Sequence, residues 1–116
     1  MGRIRRGDII IGDFEPVRGS EQGGIRPALV IQNDVSNEYS PTTIILPITS
    51  SIKSRTYVTN VPLSKSESKL KRDSIILCNQ IRTIDKSRIK KRISNLNSHS
   101  MFQVDLAIKI SLGLDN

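Results

Sequence analysis

One change of period constrains this chain most. Up to His99, apolar residues come in short β-branched runs cut by glycine, proline and polar turns; beyond it they recur at helical spacing. Met101, Val104, Ala107, Ile108 and Leu112 fall on one face of the predicted helix. Ser100 followed by Gln103 reads as a capping box at its start. Gly113 suits its C-terminal stop. Phe102, Leu106 and Ile110 make a second apolar stripe, which predicts packing on two sides. Many short strands before a single helix predict a mainly β fold, built as a small, strongly bent sheet or barrel.

The strands can be placed from their breakers. Gly7-Asp8 opens a first run over 9–14, which ends at Pro16 and the glycine-rich stretch 19–24. Glycine takes positive φ freely, so the Gly23-Gly24 pair between two apolar runs marks a turn. Residues 27–32 read as a second strand without clean alternation, which predicts that both faces are covered. A turn is predicted from Asn33-Asp34 to Pro41, then a β-branched strand over 42–48. Pro47 stands near its end, where a missing donor is tolerated. A polar loop over 49–55, a strand over 57–61 and an exposed Lys- and Ser-rich loop over 64–71 follow. Residues 73–84 read as one long, bent strand and 88–93 as a last short one. No repeat, linker or low-complexity segment interrupts the chain, and its 116 residues fit one domain over 1–116.

Charge narrows the partners. Eighteen Lys and Arg against eleven Asp and Glu give a net charge of +7. Such an excess suits a polyanion: nucleic acid, a membrane surface or an acidic protein. A solvated basic surface is the plainer alternative. A single cysteine, Cys78, forms no intrachain disulfide or zinc site and reads as a buried small hydrophobe. No signal peptide or bilayer-spanning run is evident, so no membrane is expected and a reducing cytoplasm is the predicted location.

The chemistry is limited by what is missing. His99 is the only histidine, and the eleven acids are scattered without a metal-holding cluster. The glycines of 19–24 lack the ending of a Walker A loop. No metal or other cofactor is therefore expected. Arginine and hydroxyl groups remain. Arg26 follows a glycine turn and precedes Pro27, which restricts it to an extended conformation. A loop with accessible N–H groups and a guanidinium can grip a phosphate; a tight hairpin with a solvated Arg is the alternative. Ser20 and Gln22 add polar groups to that loop.

RNA is the polyanion for which so small a kit suffices. Its 2′-hydroxyl can attack the adjacent phosphate, so the protein need only hold the nucleotide in line and stabilise the charge that develops. Four aromatic residues are available for stacking: Tyr39 and Tyr57, with Phe14 and Phe102 assigned to the core. The basic run 86–92 could track a phosphate backbone or be a solvated strand and turn.

Several stretches, in order, carry a resemblance. Arg6-Gly7-Asp8, GSEQGGIRP over 19–27, LVIQND over 29–34, Asp73-Ser74, QIRTIDK over 80–86 and ISLGL over 110–114 are similar to MazF/PemK-type toxins of bacterial toxin–antitoxin pairs. The resemblance spans essentially the whole chain. It implies an SH3-like β-barrel of the MazF/CcdB-like fold with a C-terminal helix, working as a homodimer. It implies metal-independent cleavage of single-stranded RNA at a short sequence, leaving a 2′,3′-cyclic phosphate and a 5′-hydroxyl. It assigns catalysis to Arg26 and Thr49, the arginine in acid–base work and the threonine hydroxyl steadying the transition state. A guanidinium is effectively always protonated, which favours electrostatic stabilisation for Arg26. Ser20, Glu21, Gln22, Gln80 and Arg82 are implied to contact RNA, and an acidic antitoxin tail to block the groove. Residues 64–71 and Arg18 depart from the family pattern and bear on which bases are read. Two other readings share the chain: a gyrase-inhibiting toxin of the CcdB type, and a non-catalytic RNA-binding module.

Overall fold

The computed structural model describes residues 3–16, 18–21, 23–50 and 58–114. Among these, seven strands form an antiparallel sheet: β1 (Asp8–Asp13), β2 (Ile25–Val30), β3 (Thr42–Thr49), β4 (Asn60–Leu63), β5 (Ser74–Leu77), β6 (Arg82–Asp85) and β7 (Ile89–Asn95). Their order is β4-β5-β3-β2-β1-β7, with β6 also on β3. Helices α1 (Asp34–Tyr39), α2 (Lys65–Ser68) and α3 (Ser98–Leu112) complete the described fold, with a 3-10 turn at Lys86–Arg88. No described helix is long and apolar enough to cross a membrane. The mainly β fold with a C-terminal helix is the one the sequence predicts.

Strand β3 organises the sheet. One edge pairs with β2 from Val30↔Ile45 to Ala28↔Pro47. The other edge pairs first with β6, as far as Ile45↔Arg82, and then with β5 from Ile48↔Ile76. Six steps along the chain from Ile76 to Arg82 thus answer three along β3, from Ile48 to Ile45. The single strand predicted over 73–84 is accordingly two strands, broken by a turn in which the Gln80 N–H donates to the Leu77 carbonyl at 3.1 Å. Pro47 lies at this changeover, where it has no N–H to offer a ladder.

Successive residues of the central strands feed different cores. Ile9, Leu29, Leu46, Ile48, Ile76 and Val104 belong to one buried cluster; Ile10, Phe14, Ala28, Val30, Ile45 and Ile84 belong to another. This two-sided burial explains why β2 lacks alternation. Helix α3 seats Val104 and Ala107 on the first cluster. Its second stripe packs only at the half-buried Leu106: Phe102 and Ile110 are 59% and 57% exposed, against the expectation of burial. The helix also starts earlier than the Ser100 capping box predicted. Asn97 is the cap, its side chain accepting from the Ser100 N–H at 2.8 Å. Gly113 ends α3 in the left-handed region, at φ 68°, as expected.

Two segments read as irregular are short helices. Asn33 caps α1 and Ser64 caps α2, each accepting a backbone N–H three residues on. Neither helix has an apolar period, because the residue each buries is polar: Asn37 in α1 and Ser68 in α2. Asn37 accepts from Gln32 Nε2 at 2.9 Å and Thr43 Oγ1 at 2.8 Å, and donates to the Gln32 carbonyl at 2.9 Å. Helix α2 also joins the two ends of the bent sheet. It follows β4 directly, and Ser94 of β7 donates its hydroxyl to the Ser68 carbonyl at 2.5 Å.

Candidate functional site

The β1–β2 connection is held at its base by arginines from distant parts of the chain. Phe14 N–H donates to the Gly24 carbonyl at 3.0 Å, where the hairpin ladder ends. Arg82 donates to the Phe14 carbonyl at 2.7 Å, with its guanidinium carbon 5.7 Å from the centre of the Phe14 ring. Arg88 donates to the Asp13 carbonyl at 3.1 Å and to the Glu15 carbonyl. Farther out, the Glu21 carboxylate accepts from the Arg18 N–H at 2.6 Å, closing a small turn. Gly24 has φ 78°, a conformation that an L side chain rarely adopts, and it delivers the chain into β2.

Arg26 follows as an exposed residue of β2, opposite Gly12 of β1. Its Nε donates to the Gly23 carbonyl at 2.5 Å, which turns the guanidinium back over the glycine turn. The β2–β3 ladder stops at Ala28↔Pro47. Continued two positions, the same register would set Arg26 opposite Thr49, on one face of the sheet. The β2 ladder does not continue that far, while on the other edge of β3 Thr49 pairs with Ile75 of β5. A groove of about 760 Å³ opens there, with Arg26 and Thr49 both in its walls.

The other residues named from the sequence gather elsewhere. Ser20, Glu21, Gln80 and Arg82 line a second cleft, of about 550 Å³, with Pro47 in its wall. The two hollows share no lining residue, although the β1–β2 connection and β3 contribute to both. Gln22 lies outside the described residues, as does Tyr57. Of the other aromatic side chains, Phe14 is buried as expected, whereas Phe102 is exposed and Tyr39 stands on α1, in neither hollow.

Sequence reading missed much of the first groove. Ser50, Ser74, Lys69, Lys71 and Arg72 line it unforeseen, beside Lys91 of the basic run 86–92 that the sequence does single out. The sequence places Ser74 in a strand and in a stretch of family resemblance, and 64–71 in a polar loop that departs from the family pattern, without assigning either to the groove. What signal existed was the density of Lys and Arg over 65–72.

Electrostatics elsewhere is structural. Burial, with a smaller contribution from the Asp105 charge, pushes the Cys78 thiol up to about 12. The group is therefore a neutral core residue, as its sequence context predicts. The carboxyl of Asp85 is held below its ordinary value by hydrogen bonds from Ser87. No described cluster of three or more His, Cys, Asp or Glu could hold a metal ion.

Comparison with known proteins places these features in context. The family described as PemK-like, MazF-like toxin of type II toxin-antitoxin system matches residues 5–112. The endoribonuclease MazF of Staphylococcus epidermidis is 50% identical over 113 residues, covering 97% of this chain and 94% of that protein. The crystal structure of MazF from Deinococcus radiodurans superposes with a TM-score of 0.84 at 26% identity, covering 98% of this chain and all of the other. A MazE–MazF complex from the same organism superposes at 0.77, also at 26% identity, over 99% of this chain and all of that one.

Proposed function

The chain belongs to the PemK-like, MazF-like family of type II toxin–antitoxin toxins, and on that premise we propose that this endoribonuclease cuts single-stranded RNA at a short recognition sequence without a metal ion. The observation that carries the reading is the meeting of Arg26 and Thr49 in one open groove, at the point where β2 and β3 part. Neither residue is needed as a nucleophile. The 2′-oxygen of the substrate forms a bond to the adjacent phosphorus, and the bond from phosphorus to the 5′-oxygen breaks. The 2′-hydroxyl proton is released and the leaving oxygen takes one up, giving a 2′,3′-cyclic phosphate and a 5′-hydroxyl. Arg26 neutralises the charge that grows on the phosphorane oxygens, and Thr49 donates a hydrogen bond to it. DNA lacks the attacking hydroxyl and is spared.

The second cleft suits base reading. Gln80 offers an amide, Ser20 a hydroxyl, and Glu21 an acceptor for base amino groups. Cleavage takes place in the cytoplasm. The basic groove also suits an acidic antitoxin segment, since +7 of net charge attracts either polyanion. The exposed apolar residues of α3, Phe102 and Ile110 of the second stripe and Leu112 at the end of the first, each more than half exposed, support a homodimer.

The test is cleavage of a long single-stranded RNA in EDTA by the purified protein, Arg26→Ala and Thr49→Ala. Wild type should cut, leaving cyclic phosphate ends, and each variant should be slower by about 10²–10³. Uncut RNA, or equal cutting by all three, sinks the reading.

A further inference from the structure

The groove that holds Arg26 and Thr49 has a second, cationic wall. Lys69, Lys71 and Arg72 come from the chain leaving α2, and Lys91 comes from β7. None of the described residues gives Lys71, Arg72 or Lys91 a hydrogen-bond or ion-pair partner for its side chain, in contrast to Arg82 and Arg88. Lys69 adds an independent sign. It is the one non-glycine residue at positive φ among those described, at 66°. Glycine would hold that conformation without the strain a side chain brings. The groove floor between the walls is apolar, with Pro27, Ile48 and Leu70.

We propose that Lys71 and Lys91 grip the phosphates that flank the scissile one, so that RNA is clamped between Arg26 on one wall and these lysines on the other. The inference rests on the cleavage reading, which puts a phosphodiester at Arg26 and Thr49. From there the geometry is that of a polymer. The neighbouring phosphates must fall within a nucleotide's length, on the rim of the same groove, while sugars and base faces lie over its apolar floor. Ammonium groups that have no partner among the described residues are placed there to replace condensed counterions. The two lysines are positioning residues: they hold the strand in register with Arg26 and touch no reacting atom.

A 12-nucleotide 2′-O-methyl RNA of mixed sequence tests this, because it binds but cannot be cut. The affinity of Lys71→Gln/Lys91→Gln should be weaker by about tenfold at moderate salt, and its salt dependence shallower by about 1.4 in the log–log slope. The charge-matched control Lys65→Gln/Lys109→Gln, whose residues are exposed and outside the groove, should bind like wild type. Melting temperature should be the same for all, since neither wall lysine bonds to a described residue. A wild-type affinity and slope in the double variant overturns the proposal. So does a loss confined to a poly-glutamate peptide with RNA binding intact, which would assign the wall to an acidic protein. Cleavage of the corresponding unmodified RNA, run beside it with Arg26→Ala, reports separately on the cleavage reading. The binding result judges the wall even where nothing is cut.

Discussion

Two basic segments of this chain look alike as text and behave in opposite ways in the fold. The run 86–92 holds five cations, and three of them are committed to the protein itself. Lys86 donates to the Asn37 carbonyl, Arg88 to the Asp13 and Glu15 carbonyls, and Arg92 pairs at 3.1 Å with the buried Asp8. The segment 69–72 holds three cations, and all three line the groove that contains Arg26. Charge density along a sequence therefore does not locate a binding surface. What locates it is which cations the fold turns into the groove, and of these Lys71, Arg72 and Lys91 have no acceptor among the described residues. The 86–92 run had been the candidate for tracking phosphates, and within it Lys91 alone lines the groove.

The largest expected effect tests the structural half of this contrast at its centre. Asn37 anchors α1 to β3 through Gln32 and Thr43, and its carbonyl receives Lys86. Replacing it with alanine leaves buried donors and acceptors unmatched and opens a cavity. Asn37→Ala should lower the unfolding free energy by about 3 kcal/mol in urea titration. A loss under about 1 kcal/mol would mean that α1, whose carbonyl receives Lys86, is not anchored by the Asn37 side chain.

Arg92→Ala should lose about 1.5 kcal/mol. The loss is smaller because Asp8 keeps the Arg5 N–H at 2.8 Å and the Asn95 amide at 3.0 Å. Its affinity for the 2′-O-methyl RNA should stay near wild type. Weak RNA binding with unchanged stability would put Arg92 on the wrong side of the comparison. Lys69→Gly should do the reverse of both, raising stability by about 1 kcal/mol through relief of the left-handed strain. Thermal melting of that variant reads the gain. A destabilised glycine variant would show that the ammonium, bonded to the Ser66 carbonyl at 3.1 Å, matters more than the backbone.

The contrast also explains what was legible in the sequence. Strands rich in Ile and Val, the late switch to helical period and the Gly113 stop were readable because burial imposes them locally. Helices α1 and α2 were not, because each is held by a capping side chain and one buried polar residue rather than an apolar stripe. The break at 78–81 was hidden because it shows only in the pairing with another strand, where β3 passes from β6 to β5 around Pro47. Arg26 is legible from the glycine turn before it and Pro27 after it, whereas Thr49 is reached only through resemblance. Nothing in the text sets them together, and the register of β2 on β3 is what brings them near. The split of the named residues into two hollows is likewise a property of the fold, as is the cationic wall.

The N-terminal arginines give the smallest test and extend the comparison to a third basic segment. Arg6 is committed: its Nε donates to the Ile31 carbonyl at 2.9 Å, its guanidinium pairs with Asp105, and its N–H donates to Asp34 at 2.6 Å. That backbone hydrogen bond is the main cause holding the Asp34 carboxyl below its ordinary value, helped by the Asn37 amide and the charges of Arg5 and Arg6 against an opposing desolvation. A carboxyl depressed in the folded state contributes stability that is complete above its unfolded value near 3.8 and is lost as pH falls through the lower folded value. Asp34 is exposed, so solvent screening reduces its contribution to a few tenths of a kcal/mol. Unfolding of wild type and Asp34→Asn should therefore differ by that amount at about pH 6 and converge towards about pH 2.5. A difference that stays constant across that range would show that Asp34 acts as a neutral hydrogen-bond acceptor, and that the charges of Arg5 and Arg6 are not held by it.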